Sequence, residues 1–256
     1  NQRSTQQQIL LSSGKTKDEL RQERESIQGK LVKLETLHQA FKSFIDEKIS
    51  DTRLDLRKLS GSLSQEFDLK VGGELNKRNS YKKLKADTAW VVKILFEELI
   101  TDKLSKRIGL SLYEFKKDVE SRQKGFIIEL VGLDILLGSK IELIVDNAIY
   151  RHVRHIDIDS VSISQNKVDA MISDLTWFFQ RWFNLDIEDV RAEIKAKSRE
   201  MFENTCKALV QAADEKLGES TKSFLQSVHE SLSKEADNRK QSLQFLIDKF
   251  DSLEAE

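Results

Sequence analysis

The sequence predicts an all-α fold, an elongated antiparallel bundle or coiled-coil rod of long helices with a helical tip at mid-chain. Three observations predict it. Proline is absent from all 256 residues, against an average usage of about 5%. Charged residues make up 33% of the chain. Two runs of apolar residues recurring in steps of three and four occupy opposite ends of the sequence. Proline removes a helical hydrogen bond and clashes with the preceding turn, so its absence suits a chain built of long helices.

The elements follow in order. Residues 1–15, NQRSTQQQILLSSGK, are polar and read as a linker. Thr16 with Glu19 forms a capping-box pair, in which each side chain satisfies a free backbone N–H of the other residue, so a helix is expected to start there. From Leu20, the residues Ile27, Leu31, Leu34, Phe41, Ile45, Ile49, Leu56, Leu59, Leu63 and Phe67 continue one seam, with His38 and Thr52 in polar slots of the same steps. The first long helix is therefore expected over residues 16–71. Its seam of about 50 residues extends roughly 75 Å at 1.5 Å per residue. Gly72 and Gly73 are expected to stop it.

Residues 72–185 are expected to form the helical tip region. Its first helix offers Trp90, Ile94 and Phe96 as buried candidates and should end near Gly109. Ser111 with Glu114 repeats the capping-box pattern and begins the next helix, which runs into KGFIIELVGLDILLGSKIELIVDNAIY, residues 124–150. Within that stretch Gly138 and Ser139 separate two apolar arms, a pattern that predicts a bend or hairpin tip. Ile156, Ile158, Val161 and Ile163 then alternate with polar residues, as in a short strand or extended crossing. Met171, Leu175, Trp177, Phe178, Phe179, Trp182 and Phe183 predict a further helix, the densest aromatic group in the chain.

A second long helix is expected over residues 186–256. Its seam comprises Val190, Ile194, Met201, Leu209, Leu217, Phe224, Val228, Leu232, Leu243, Ile247 and Phe250, with Gly218 as a kink point. Each long helix carries one apolar stripe that needs a partner. The simplest packing pairs the two antiparallel.

Composition narrows the function. With 42 basic and 43 acidic residues the net charge is −1, so no global field draws the protein to nucleic acid, and nucleic acid is not an expected partner. The single cysteine, Cys206, excludes an internal disulfide framework and points to a reducing, cytoplasmic setting, with peripheral membrane association as an extension of that reading. Residues 126–145 hold 13 large apolar and four charged residues. On insertion scales the apolar sum of about −6.5 kcal/mol loses to about +10 or more from the charges, which argues against a membrane span. Two readings stay open, a helix pair buried in the tip and a segment that dips into a bilayer interface. Lys77, Arg78, Lys82, Lys83 and Lys85 fall within nine residues that contain no acid, which suits anionic headgroups.

Catalytic readings are weaker. Gly14, Lys15 and Thr16 copy the end of a phosphate-binding loop, but the position that requires its first glycine is Ile9. His152 and His155 with Asp157 lack a fourth metal ligand, and Cys206 has no histidine close in sequence. No catalytic residue, cofactor or metal is expected, and the chain is read as a non-enzyme.

The layout resembles the helical stalk of bacterial dynamin-like proteins, in which long helices leave a GTPase domain, reach a lipid-contacting tip and return. The seams over residues 20–67 and 190–250, the apolar residues 126–145 and the basic run at 77–85 carry the resemblance, while the family's GTPase motifs do not occur in this sequence. The resemblance implies membrane remodelling, an anionic membrane surface as partner, and self-association or pairing with a helical protein. It places Ile127, Ile128, Leu133, Ile135, Leu136, Leu137 and Ile141 in apolar insertion, and Lys77, Arg78, Lys82, Lys83 and Lys85 in headgroup attraction. Two alternatives stand beside it: a pore-forming toxin component resembling the cytolysin A type, and a structural coiled-coil scaffold.

Overall fold

The structure, a computed structural model, describes residues 16–133, 138–154, 156, 170 and 186–254. It is all-α, a bundle of long helices packed against each other. Helix α1 spans Lys17–Asn76 and α2 spans Tyr81–Phe96, followed by a π-helical stretch, Glu97–Ser105. Helix α3, Lys106–Val131, continues directly from it; α4 is Gly138–Ile149, with a second π-helical stretch at Tyr150–Arg154, and α5 is Ile187–Glu254. The expected linker, the alternating segment beyond Ile156 and the aromatic helix around Trp177 lie outside the described residues.

Local chemistry accounts for the helix starts. The capping box at α1 is formed as expected, since the Thr16 N–H donates to Glu19 Oε2 at 2.6 Å and the Glu19 N–H donates to Thr16 Oγ1 at 3.3 Å. Ser80 caps α2 by accepting from the Lys83 N–H at 3.3 Å, and Asp186 caps α5 by accepting from the Ile187 N–H at 2.6 Å. Each cap satisfies a donor that the first helical turn leaves free.

Two glycine-based expectations are overturned. Helix α1 passes through Gly72 and Gly73 to Asn76 because its seam continues beyond them, with Phe67, Val71 and Leu75 all buried at steps of four. Burying two such side chains outweighs the roughly 1 kcal/mol that a glycine costs in a helix. Gly109 and Ser111 likewise sit inside α3, where Ile108, Leu112 and Phe115 continue the buried row from Leu104 of the π-helical stretch and Ser111 itself is buried. Helix α5 stays helical through Gly218.

The π-helical stretch has a geometric reason. Leu84, Thr88, Val92, Phe96, Ile100, Leu104, Ile108 and Leu112 are buried at steps of four, and on a regular α-helix each such step drifts about 40° around the axis. The wider turns over Glu97–Ser105 rotate the row back, so that Leu99, Ile100 and Leu104 still point inward.

The chain forms two compact units. The first comprises the described residues of Asn1–Asp46, Asp118–His155 and Ser220–Glu256. In it α1 and α5 pair antiparallel: Lys17 meets Asp251, Arg24 meets Gln244, Lys240 reaches Gln28 at 2.7 Å, and His229 reaches Glu35 at 3.5 Å. The α3–α4 hairpin packs on this pair. Its Phe126 stacks on Phe41 at 4.3 Å, and Phe224 of α5 meets Phe41 edge-on at 5.9 Å.

The second unit comprises the described residues of Glu47–Lys117 and Ile156–Glu219. Here too α1 and α5 run antiparallel, with Arg53 on Asp214 at 2.9 Å and Lys195 on Asp68 at 3.0 Å. The π-helical stretch is tied to α1 by Lys70 with Glu98 at 2.5 Å and Lys103 with Glu66 at 2.7 Å. These lysines hold the Glu66 carboxyl below its ordinary value. All are solvent-screened, so their contribution is to register more than to stability. The core is a second aromatic cluster: Phe67 stacks on Phe202 at 4.4 Å, and Phe96 meets them edge-on at 5.5 and 5.4 Å.

Candidate functional site

The α3–α4 hairpin of the first unit holds the described part of the expected insertion segment. Helix α3 stops at Val131, where the Gly132 N–H donates to the Ile128 carbonyl at 3.0 Å and the Leu133 N–H to the Leu130 carbonyl at 3.1 Å. This tightening closes the last turn. The break thus begins at Gly132, and α4 opens at Gly138. The two arms run antiparallel, joined by Gln123 with Asp146 and by Arg154 with Glu120 at 2.9 Å.

Periodicity sorts the apolar side chains into two faces. Phe126 and Leu130 of α3 and Ile141, Val145, Ala148 and Ile149 of α4 are buried. On the opposite face Ile128 is 71% exposed, Val131 40% and Leu143 61%. Of the seven residues expected in insertion, Ile128 is therefore open to solvent, Ile127 and Leu133 are half-buried, and Ile141 is core. Ile135, Leu136 and Leu137 lie outside the described residues. Val131 and Leu143 were not among the expected residues, although the pattern carried a signal. Leu143 sits two positions from both Ile141 and Val145, about 200° around the helix from either, so a stripe built on those two leaves it outside.

The basic run belongs to the second unit, and its five members divide. Arg78 is buried in the turn between α1 and α2, where its guanidinium donates to the Glu74 carbonyl and lies 3.5 Å from Asp87. Arg191 of α5 donates to the Arg78 carbonyl at 2.6 Å. Arg78 is thus part of the fold. Lys77 pairs with Glu74 at 2.5 Å, and with Arg78 it holds the Glu74 carboxyl below its ordinary value. Lys82, Lys83 and Lys85 are exposed on the first turns of α2.

Further along α2 an expectation is corrected. Trp90 and Ile94, expected in the core, are 63% and 39% exposed, while Phe96 is buried as expected. Val91, Val92, Leu95 and Phe96 fill the inward arc; at 100° per residue Lys83, Trp90 and Ile94 then share the outward one. A tryptophan and an isoleucine beside lysines on a solvent-facing surface suit a boundary between water and an apolar phase.

A groove of about 910 Å³ lies between α1 and α5 in the second unit, bordered by Arg53, Ser60, Gly61, Ser64, Arg199 and Asp214 among others. Its charges largely pair with each other, Arg53 with Asp214 and Arg199 with Glu203 at 2.8 Å. Cys206 is buried beside Ser60, and burial pushes its thiol up to about 12, partly countered by the Ser60 hydrogen bond. A thiol with that pKa is almost wholly protonated at neutral pH, and thiolate is the reactive form. Labelling by a thiol reagent at pH 7 is accordingly expected to be at least about a thousandfold slower in the folded chain than in the chain unfolded by guanidinium. Comparable rates in both states would contradict the burial.

Among the described residues no group of three or more His, Cys, Asp or Glu side chains is placed to hold a metal ion, and no helix is long and apolar enough to cross a membrane. Compared with known protein families, with curated proteins and with solved structures, the chain matches none.

Proposed function

We propose that the chain is a non-catalytic helical stalk and tip that associates peripherally with anionic membranes and self-associates, in the manner of a dynamin-like membrane-remodelling system. The observation that carries this reading is the exposure of Ile128, Val131 and Leu143 on the α3–α4 hairpin, beside the turn that closes α3. Three large apolar side chains left in water at one hairpin gain by transfer to an interface. Full burial contributes about 1.5–3 kcal/mol for each such side chain. The exposed Lys82, Lys83 and Lys85 on α2 of the second unit offer a separate electrostatic contact, about 1 kcal/mol each near an anionic surface and weakened by salt. Trp90 and Ile94 on the same helix support that second contact.

Co-sedimentation with anionic and neutral vesicles at low and high salt tests the proposal. The double variant Ile128→Asp, Leu143→Asp alters only exposed positions, so it is expected to fold like the parent and to bind vesicles at least about tenfold more weakly, a loss of about 1.4 kcal/mol or more. Replacing Lys82, Lys83 and Lys85 with Gln should remove the preference for anionic lipid and the salt dependence while leaving residual binding to neutral vesicles. Release of trapped dye on binding would favour the pore-forming alternative. Absence of binding under all conditions would leave the scaffold.

A further inference from the structure

His38 fills a polar slot in the seam of α1, a place where periodicity calls for an apolar side chain, and the membrane reading makes no use of it. In the first unit it faces His229 of α5, with ring centroids 4.6 Å apart and planes tilted by 44°. Both rings are half-buried between the two helices. His229 Nε2 lies 3.5 Å from Glu35 Oε2, while its Nδ1 is buried and has no hydrogen-bond partner.

We infer that this histidine pair is an acid-sensitive joint, which holds α1 against α5 while uncharged and loosens that contact when both rings are charged. Two features oppose the doubly charged state. Two imidazolium rings at this separation repel each other in a partly desolvated contact. Protonation also turns both ring nitrogens into donors, so the Nδ1–H of a charged His229 would be a buried donor without an acceptor.

The remaining groups set the direction and the window. Burial, followed by the neighbouring His229, holds the His38 pKa below its ordinary value; Glu35 raises it and Lys42 lowers it further. At this level the hairpin contributes an aromatic ring, Phe126, stacked on Phe41. A histidine with a depressed folded-state pKa binds fewer protons folded than unfolded. Its contribution to stability is complete above about pH 6.5 and is lost as pH falls through the folded value. The Glu35 carboxyl is itself held below 4.5, chiefly by the hydrogen bond from Gln39. It therefore stays charged down to about pH 5, so the loosening expected between pH 6.5 and 5 is linked to His38.

Hydrogen exchange on the full chain at pH 7.5 and 5.5 tests the joint, with the second unit as internal reference. After correction for intrinsic rates, amides around residues 31–45 and 222–236 are expected to open more readily at pH 5.5, by up to about tenfold per pH unit for each proton taken up on opening. Second-unit amides should respond less. The double variant His38→Gln, His229→Gln should lose the difference between the units, and the His38 imidazole followed by NMR in the parent should titrate below 6.5. Equal responses in both units, a pH response retained by the double variant, or a His38 midpoint at or above 6.5 would each overturn the inference. Should the double variant fail to fold, the parent titration and His38→Gln alone decide it.

Discussion

Phe202→Ala is expected to destabilise the protein by about 3–5 kcal/mol. Phe202 is fully buried at the junction of three helical segments in the second unit, stacked on Phe67 of α1 and edge-on to Phe96 of α2. Truncation removes the transfer free energy of the ring and leaves a cavity that two other rigid rings cannot collapse to fill. It also deletes two aromatic contacts, each contributing about 0.5–1.5 kcal/mol beyond buried area. Urea denaturation followed by circular dichroism checks this. Phe202→Leu, which keeps most of the volume, should lose roughly half as much. A loss under about 1 kcal/mol for the alanine variant would show that Phe202 does not occupy a packed core.

Phe41→Ala is expected to have a comparable effect, about 3–5 kcal/mol, but to be felt first in the other unit. Phe41 brings α1 against the α3–α4 hairpin through Phe126 and against α5 through Phe224. It is one of the contacts by which the hairpin is seated, beside that of Lys140 with Glu235 of α5. Hydrogen exchange should therefore lose protection mainly in α4 and in the parts of α3 and α5 that belong to the first unit, whereas Phe202→Ala should do so mainly in α2 and the π-helical stretch. If both variants lost protection in the same segments, the two aromatic clusters would not be separate local cores.

Much of the fold was legible because long helices announce themselves locally. The capping box at Thr16 and Glu19 formed as expected, α5 began next to Asp186, and the seam through Ile27, Leu34, Phe41, Ile45, Leu56, Leu63 and Phe67 is buried. Errors came where a local rule competed with tertiary packing. Gly72, Gly73 and Gly109 were expected to end helices, since glycine is poor in a helix interior. They lie inside α1 and α3 because the buried rows on either side of them are continuous. Phe202 was absent from the expected α5 seam, which passed through the half-buried Met201 next to it; α5 packs against different partners in the two units, so no single strict period marks its whole buried face.

The candidate site shows the same division. Residues 126–145 stood out as too apolar for a surface and too charged for a span, and periodicity within them carried enough information to separate Leu143 from Ile141 and Val145. Hydropathy alone treated Trp90 and Arg78 by residue type, placing one inside and the other outside, and the structure reverses both. The reason is that side-chain character fixes only the cost of burial, whereas the partners that offset the cost are supplied by other elements. Arg78 is enclosed because Glu74, Asp87 and Arg191 meet it from α1, α2 and α5.

By itself, then, the sequence determined that this protein is all-α, where its two longest helices start, and which stripe of each is buried, because caps and apolar periods are properties of neighbouring residues. Only the tertiary structure decided how far those helices run past their glycines, which apolar side chains stay in water, and that His38 and His229, 191 positions apart in the chain, meet ring to ring. Those outcomes depend on contacts between segments distant in sequence, and no local pattern records them.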